Sequence, residues 1–243
     1  MLLDKYLKIK FLSFYENEKM KFIKKIVWDF LNILGLGGMI QLQLKSGLKD
    51  DGWFRSFETK RPIDKNGQPV AWYSYSFLKF LENRLTKDLA VFEYGAGNST
   101  IWYAKKVKFV KSVENDKKWV EILTPQLPKN AEVTFRELNQ TQDYLHEITI
   151  PAQAKSEAKS EAKYDIIVVD GRRRNDCAMF GIDYLTEKGV IILDNSERED
   201  YQPTKDFMKQ KGFKQIDFWG IAPIVAHNTC TSVFYKANNC LDI

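Results

Sequence analysis

From Leu89 onward, short apolar runs alternate with amphipathic stretches along the chain. Leu89–Tyr94, Phe109–Glu114, Glu132–Leu138, Tyr164–Asp170 and Gly189–Asp194 read as strands, because each is rich in branched and aromatic residues and bounded by turn formers. The run Ile166-Ile167-Val168-Val169 is apolar at every position, which suits a strand buried on both faces. Helical spacing is expected at Ser99–Lys106, from Asp116 to Leu123, near Cys177–Leu185 and at Pro203–Lys211. Phe213–Phe218 and Thr231–Lys236 have no helical pattern between them, so they are expected as an antiparallel pair. Strands joined through helices need right-handed crossovers, and the expected fold is α/β with a doubly wound, mostly parallel sheet of seven strands.

Upstream the pattern differs. Between Met20 and Leu34 the residues Phe22, Ile23, Ile26, Val27, Phe30, Leu31 and Leu34 recur at helical spacing, and Gly35, Gly37 and Gly38 are expected to end that helix. Residues 50–70 are rich in Asp, Gly, Pro, Lys and Asn and read as a long surface loop. Trp72, Tyr73, Tyr75 and Phe77 lead into an amphipathic run through Leu78, Leu81 and Leu85. Aromatics there are most often plain core. Trp72 and Tyr75 are also placed to wall a ligand pocket. The expected organisation is a helical and loop extension over residues 1–85 and the main domain over 86–243. Within the latter, residues 154–163 repeat Ala, Lys, Ser and Glu without an apolar face, as a solvated insertion does.

Charge adds one asymmetry. Residues 1–49 hold nine lysines against four acids, which accounts for the whole net charge of +5 and leaves the rest neutral. A basic amphipathic helix can lie on an anionic membrane surface. Few lysines flank the apolar face after Lys25, so packing on the main domain or in a homodimer is the preferred reading. The early apolar stretch is broken by Asp4, Lys5, Lys8 and Lys10, unlike a secretory signal. Three scattered cysteines form no Cys-x-x-Cys pair, which fits a reducing, cytoplasmic location. His146 and His227 stand in no metal or triad spacing.

The chemistry concentrates at strand ends. In open parallel sheets, ligands sit at the carboxyl ends of the strands, where the order reverses. Glu93, Glu114, Asp170 and Asp194 stand at such ends, and a purely structural sheet has no need of four acids there. After Glu93 come Gly95 and Gly97, whose missing side chains let backbone approach a ligand, and then Asn98, Ser99 and Thr100, which start a helix. Glu114 lies 17 residues past Gly97, where a carboxylate can accept both hydroxyls of a ribose. No Gly-Lys-Ser/Thr follows the glycines, which excludes a P-loop. A dinucleotide fingerprint needs a third glycine where Thr100 stands.

Four ordered segments carry a resemblance. Glu93 to Thr100, Ser112-Val113-Glu114-Asn115-Asp116, Asp165 to Gly171, and Gly189 to Asn195 resemble the motifs of class I S-adenosylmethionine-dependent methyltransferases. The resemblance implies S-adenosylmethionine as cofactor, with Glu93, Gly95 and Gly97 lining its methionine part and Tyr94, Ala96, Ser99 and Thr100 also in the cofactor site. It implies Glu114 at the ribose, Asn115 or Asp116 near the adenine, and Asp170 beside the reacting centre. The family's adenine contact after the third strand would fall in Glu137-Leu138-Asn139-Gln140, where no acid matches it. A narrower similarity, to metal-dependent catechol-type O-methyltransferases, implies magnesium or calcium on Asp170, Asp194 and Asn195. Hard cations favour such oxygen ligands. Those enzymes tend to have a lysine three residues past the first Asp, where this chain has Arg173. An arginine stays protonated, so Arg173 is expected to hold an acidic group of the substrate and not to act as the base.

The expected function is therefore methyl transfer, with Asp170 as base or metal ligand, to oxygen on a small molecule or glycan-like substrate. Nucleic acid is disfavoured by the neutral domain and by the absence of an Asn-Pro-Pro-Tyr-type motif. The rival readings are a non-catalytic binding protein on the same scaffold and a nicotinamide-dependent oxidoreductase. The latter is weakened by Thr100 and by the lack of a recognisable Tyr-x-x-x-Lys dyad.

Overall fold

The computed structural model describes residues 19–138, 142–152 and 162–243. Residues 1–18, Asn139, Gln140 and most of the Ala/Lys/Ser/Glu tract lie outside them. Two compact units meet at the bond between Asp51 and Gly52. The boundary expected after Leu85 lies inside the second unit.

In the first unit, residues 19–33 form α1. Gly35 takes a left-handed φ of 71°, and the Leu36 N–H returns to the Leu31 carbonyl at 2.9 Å, closing the helix end as glycine commonly does. Gly37 and Gly38 do not extend that stop; they open a second helix, α2 (Gly37–Leu44). A short α3 (Gly47–Asp50) follows, capped by the Ser46 hydroxyl. Phe22, Ile26 and Phe30 of α1 are exposed. No helix among the described residues is long and apolar enough to cross a membrane.

The second unit is built on one sheet. Its strands are β1 (Ala90–Tyr94), β2 (Phe109–Glu114), β3 (Ala131–Phe135), β4 (Tyr164–Val169), β5 (Leu185–Asp194), β6 (Lys214–Ile221) and β7 (Asn228–Tyr235). They lie in the order β3-β2-β1-β4-β5-β7-β6. The first five are parallel, and β7 runs antiparallel to both its neighbours, as the missing helix between the last two strands foretells. The order reverses between β1 and β4, so the carboxyl ends of these strands face a crevice. β5 starts earlier than the apolar pattern suggests, because Leu185 pairs with Tyr164 before the register shifts.

The helices that matter to the crevice are α6 (Asn98–Ala104) after β1, α7 (Lys117–Leu123) after β2, α8 (Asp143–His146), α9 (Arg174–Gly181) after β4 and α10 (Gln202–Gln210) after β5. The core is aromatic: Phe92 packs against Tyr94 and Tyr164 at 4.9 and 5.2 Å between ring centres. Lys111 is buried in β2, where Glu147 pairs with its ammonium at 2.8 Å and with Arg136 at 2.7 Å. Buried charges persist only when paired in this way, and the pair pins the connection after α8 to the sheet.

The stretch over residues 50–70 is not a loop throughout. It contains α4 (Trp53–Thr59) and an isolated bridge between Ile63 and Pro69. Trp53 stacks on Phe57 and meets Phe54 edge-on, and the buried Ser56 hydroxyl donates to the Ile63 carbonyl at 2.6 Å. Turn-forming composition hid that aromatic spacing. Later, α5 (Tyr75–Glu82) packs on β6, with Phe77 and Phe80 at 5.0 and 4.5 Å from Phe218.

At the order reversal, two turns touch through bare backbone. A Cβ on Gly95 would stand 2.9 Å from the Gly171 nitrogen, and one on Gly171 would overlap the Tyr144 hydroxyl and come within 2.9 Å of the Tyr94 carbonyl oxygen. Overpacking of this kind costs about 1–3 kcal/mol. Gly171→Ala is therefore expected to lower the thermal midpoint. Removing the Tyr144 hydroxyl in Gly171→Ala/Tyr144→Phe should recover only part of the loss, since the backbone overlap remains. An unchanged midpoint for the single variant would show that the turns can separate freely.

Candidate functional site

A cavity of about 870 Å³ opens at the carboxyl ends of the parallel strands. Gly95, Ala96, Gly97, Ser99, Glu114, Asn115, Asp170 and Trp72 line it, as the sequence suggests. Glu93, Tyr94, Thr100 and Tyr75 do not: each is buried.

The glycine turn is shaped from below and from the side. Gly95 has a φ of 102°, a region that favours glycine, and its N–H donates to the Val113 carbonyl at 2.8 Å. The Ala96 N–H donates to the Glu114 carboxylate at 3.0 Å, whose other oxygen accepts the N–H groups of Asn115 and Asp116 at 2.7 and 2.9 Å. Glu114 is thus locked in one orientation at the cavity edge. Trp119 reaches back from α7, its indole N–H on the Ala96 carbonyl at 2.7 Å, and forms a wall. A Cβ on Gly97 would meet only Trp119, at 4.0 Å, so this glycine keeps space clear and is not demanded by packing. Thr100 accepts the Gly97 N–H at 3.1 Å and so caps α6 instead of facing a ligand.

Glu93 sits under this turn, 1% exposed, with the Ser112 hydroxyl on its carboxylate at 2.8 Å. Burial pushes it up to about 7, against the pull of the Thr100, Ser99 and Ser112 hydroxyls.

Opposite the glycine turn stand Asp170, Asp194 and Asn195. Asp194 is buried and its Oδ1 accepts the Thr231 hydroxyl at 2.6 Å. Burial raises both carboxyl groups; each is also raised by a neighbouring carboxylate, and the Arg174 guanidinium opposes the shift. Arg174 lies among them. Its Nη2 donates to the Asp170 carboxylate at 2.9 Å and to the Asp170 carbonyl at 2.7 Å. Its Nη1 donates to the Asp194 carbonyl and, at 3.3 Å, to the Asn195 side-chain oxygen.

This arrangement corrects the expected metal centre. A magnesium or calcium ion would need the Asp170 and Asn195 oxygens that the guanidinium already holds, and no cluster of metal-binding acids, histidines or cysteines occurs among the described residues. The residues present do not fit the ion. The triple arginine also divides differently than expected. Arg173 has a φ of 52°, donates to Asp176 at 2.9 Å and does not line the cavity; Arg172 and Arg174 do.

Other segments complete the lining. Lys60, Arg61 and Pro62 arrive from the end of α4, tied down where the Asn98 side chain donates to the Pro62 carbonyl at 2.8 Å. Arg198 comes from the turn after β5, with Ala222, Val225, His227 and Thr229 from the last hairpin. The spacing of Asp170 and Arg174, one helical turn apart, was the available local signal for Arg174.

No family model matches the sequence, and no curated protein matches it. Solved structures do match in fold. A precorrin-6y C5,15-methyltransferase from Geobacter metallireducens GS-15 is 12% identical, with a TM-score of 0.51 over 74% of this chain and 96% of that one. The O-methyltransferase TomG from Streptomyces achromogenes, solved in complex with S-adenosylmethionine, is 13% identical, with a TM-score of 0.50 over 82% of this chain and 95% of that one. The chain has the Rossmann-like fold of the class I S-adenosylmethionine-dependent methyltransferases.

Glu93 gives this site a pH signature. Its folded value of about 7 lies above its unfolded value near 4.5, so the protonated group favours the folded state fully below about pH 4.5, and that advantage is lost as pH rises through 7. The loss is on the order of 3 kcal/mol. In urea titrations across this range, Glu93→Gln should flatten the decline relative to wild type. Parallel curves would mean that Glu93 ionises normally.

Proposed function

We propose that the protein is an S-adenosylmethionine-dependent methyltransferase that methylates oxygen on a small, acidic acceptor. The observation that carries the cofactor reading is the Glu114 carboxylate, held by three backbone N–H groups at the cavity edge beside the cleared space at Gly97. A fixed carboxylate there suits a pair of ribose hydroxyls, and the Trp119 indole beside it suits a flat base. The volume is ample for a nucleoside cofactor together with a second small molecule.

The acceptor reading rests on charge. Lys60, Arg61, Arg172 and Arg198 line the same cavity, and a carboxylate, phosphate or uronic acid would complement them. Asp170, 31% exposed at the cavity and raised by burial, is suited to take the proton of an acceptor hydroxyl. When bound, S-adenosylmethionine supplies an electrophilic methyl group. The chain's part is to hold the acceptor oxygen in line with it and to receive the hydroxyl proton on Asp170.

Calorimetry with S-adenosylmethionine and S-adenosylhomocysteine tests the cofactor reading. Wild type should bind both. Glu114→Ala and Gly97→Ala should weaken binding at least tenfold, with Gly97→Ala keeping the wild-type thermal midpoint. Folded wild type that releases no heat with either compound would sink the proposal. In a labelled-methyl assay, hydroxylated acids should accept the methyl group better than neutral analogues of equal size. Arg172→Ala should narrow that difference; equal acceptance by wild type would remove the acidic acceptor.

A further inference from the structure

We infer that Arg174 is the resident cation of this site, standing where a divalent ion would otherwise sit, so that Asp170 is held in place without metal. This rests on the methyltransferase reading above for what Asp170 does, but not for the cation itself.

A guanidinium carries five N–H donors in a fixed fork. Arg174 directs all of its nitrogens at protein oxygens. Its Nε donates to the Gly171 carbonyl at 3.1 Å, its Nη2 to the carbonyl and carboxylate of Asp170, and its Nη1 to the Asp194 carbonyl and the Asn195 side chain. No donor is left over for a substrate. Arg174 is accordingly a positioning residue and not a catalytic one. Its side chain is only 9% exposed, against 31% for Asp170, so the carboxylate is the more open of the two.

The ligand side is partly occupied as well. The Asn195 amide oxygen accepts from Arg174 at 3.3 Å and from Arg198 at 3.2 Å, which uses both of its lone pairs. One oxygen of Asp194 takes the Thr231 hydroxyl. A hard cation gathers six or more oxygens around itself. Here the oxygens at the ends of β4 and β5 converge on a planar, permanently charged group instead. The backbone serves the same end. Asn195 takes a left-handed φ of 51°, and Arg174 begins α9 one turn beyond Asp170, so the fork reaches both strand ends at once. A lysine has a point charge on a flexible stem and could not span them.

The test is manganese binding, read by electron paramagnetic resonance on the full chain, with S-adenosylhomocysteine calorimetry on the same samples. Wild type should show no stoichiometric manganese site. Arg174→Ala frees the oxygens and should bind one manganese at least tenfold more tightly than wild type, and Asp170→Asn in that background should abolish the gain. Folded Arg174→Ala with no gain would overturn the inference. So would a one-to-one manganese site in wild type that Asp170→Asn removes, a comparison that stands even where Arg174→Ala does not fold. Loss of cofactor binding in wild type would count against the methyltransferase reading alone, because the manganese readout needs no cofactor.

Discussion

The site depends on one close approach: the turns after β1 and β4 meet at Gly95 and Gly171 with no side chain between them. These strands are neighbours at the point where the sheet order reverses. Any side chain there would part the two turns. Their contact sets the distance between the Glu114 side of the cavity and the Asp170 side. The Asp170 N–H on the Tyr94 carbonyl, at 3.0 Å, holds the same juncture from within the sheet.

On that floor the charges are arranged in two groups. One carboxylate, Glu114, is tied by backbone N–H groups and carries no ion pair among the described residues. In the other group, Arg174 holds the Asp170 carboxylate and the Asp194 backbone carbonyl, while the Asp194 carboxyl group takes the Thr231 hydroxyl. A hydrogen-bonded but unpaired carboxylate remains open to neutral hydroxyls. A carboxyl group beside a buried guanidinium is held in position, and its raised affinity for protons comes from burial that the guanidinium only partly offsets. The same type of side chain thus serves two kinds of contact, through what stands behind it.

The parallel sheet was legible because each strand is a compact apolar run and each acid falls where the run stops. Glu93, Glu114, Asp170 and Asp194 could be placed at strand ends without knowing the strand order. What each acid touches was not legible. Glu93 sits one residue before the end of β1 and so points into the core, whereas Glu114 closes β2 and reaches the cavity edge. The three consecutive arginines look equivalent as text. The left-handed turn at Arg173 separates them: Arg172 and Arg174 line the cavity, Arg174 with its guanidinium on the strand ends, and Arg173 turns to Asp176. Lys60 and Arg61 were hidden for another reason: a tertiary bond from Asn98 brings their segment to the site, and local composition carries no trace of it.

A crystal structure with S-adenosylhomocysteine, grown with magnesium present, tests the account most directly. The ribose hydroxyls should lie on the Glu114 carboxylate, with the backbone of Gly97 against the ligand. The sulfur should face Asp170, with Arg174 still holding Asp170 and Asn195. A nucleoside bound elsewhere, or a magnesium ion on Asp170 and Asn195 with Arg174 swung away, would contradict it.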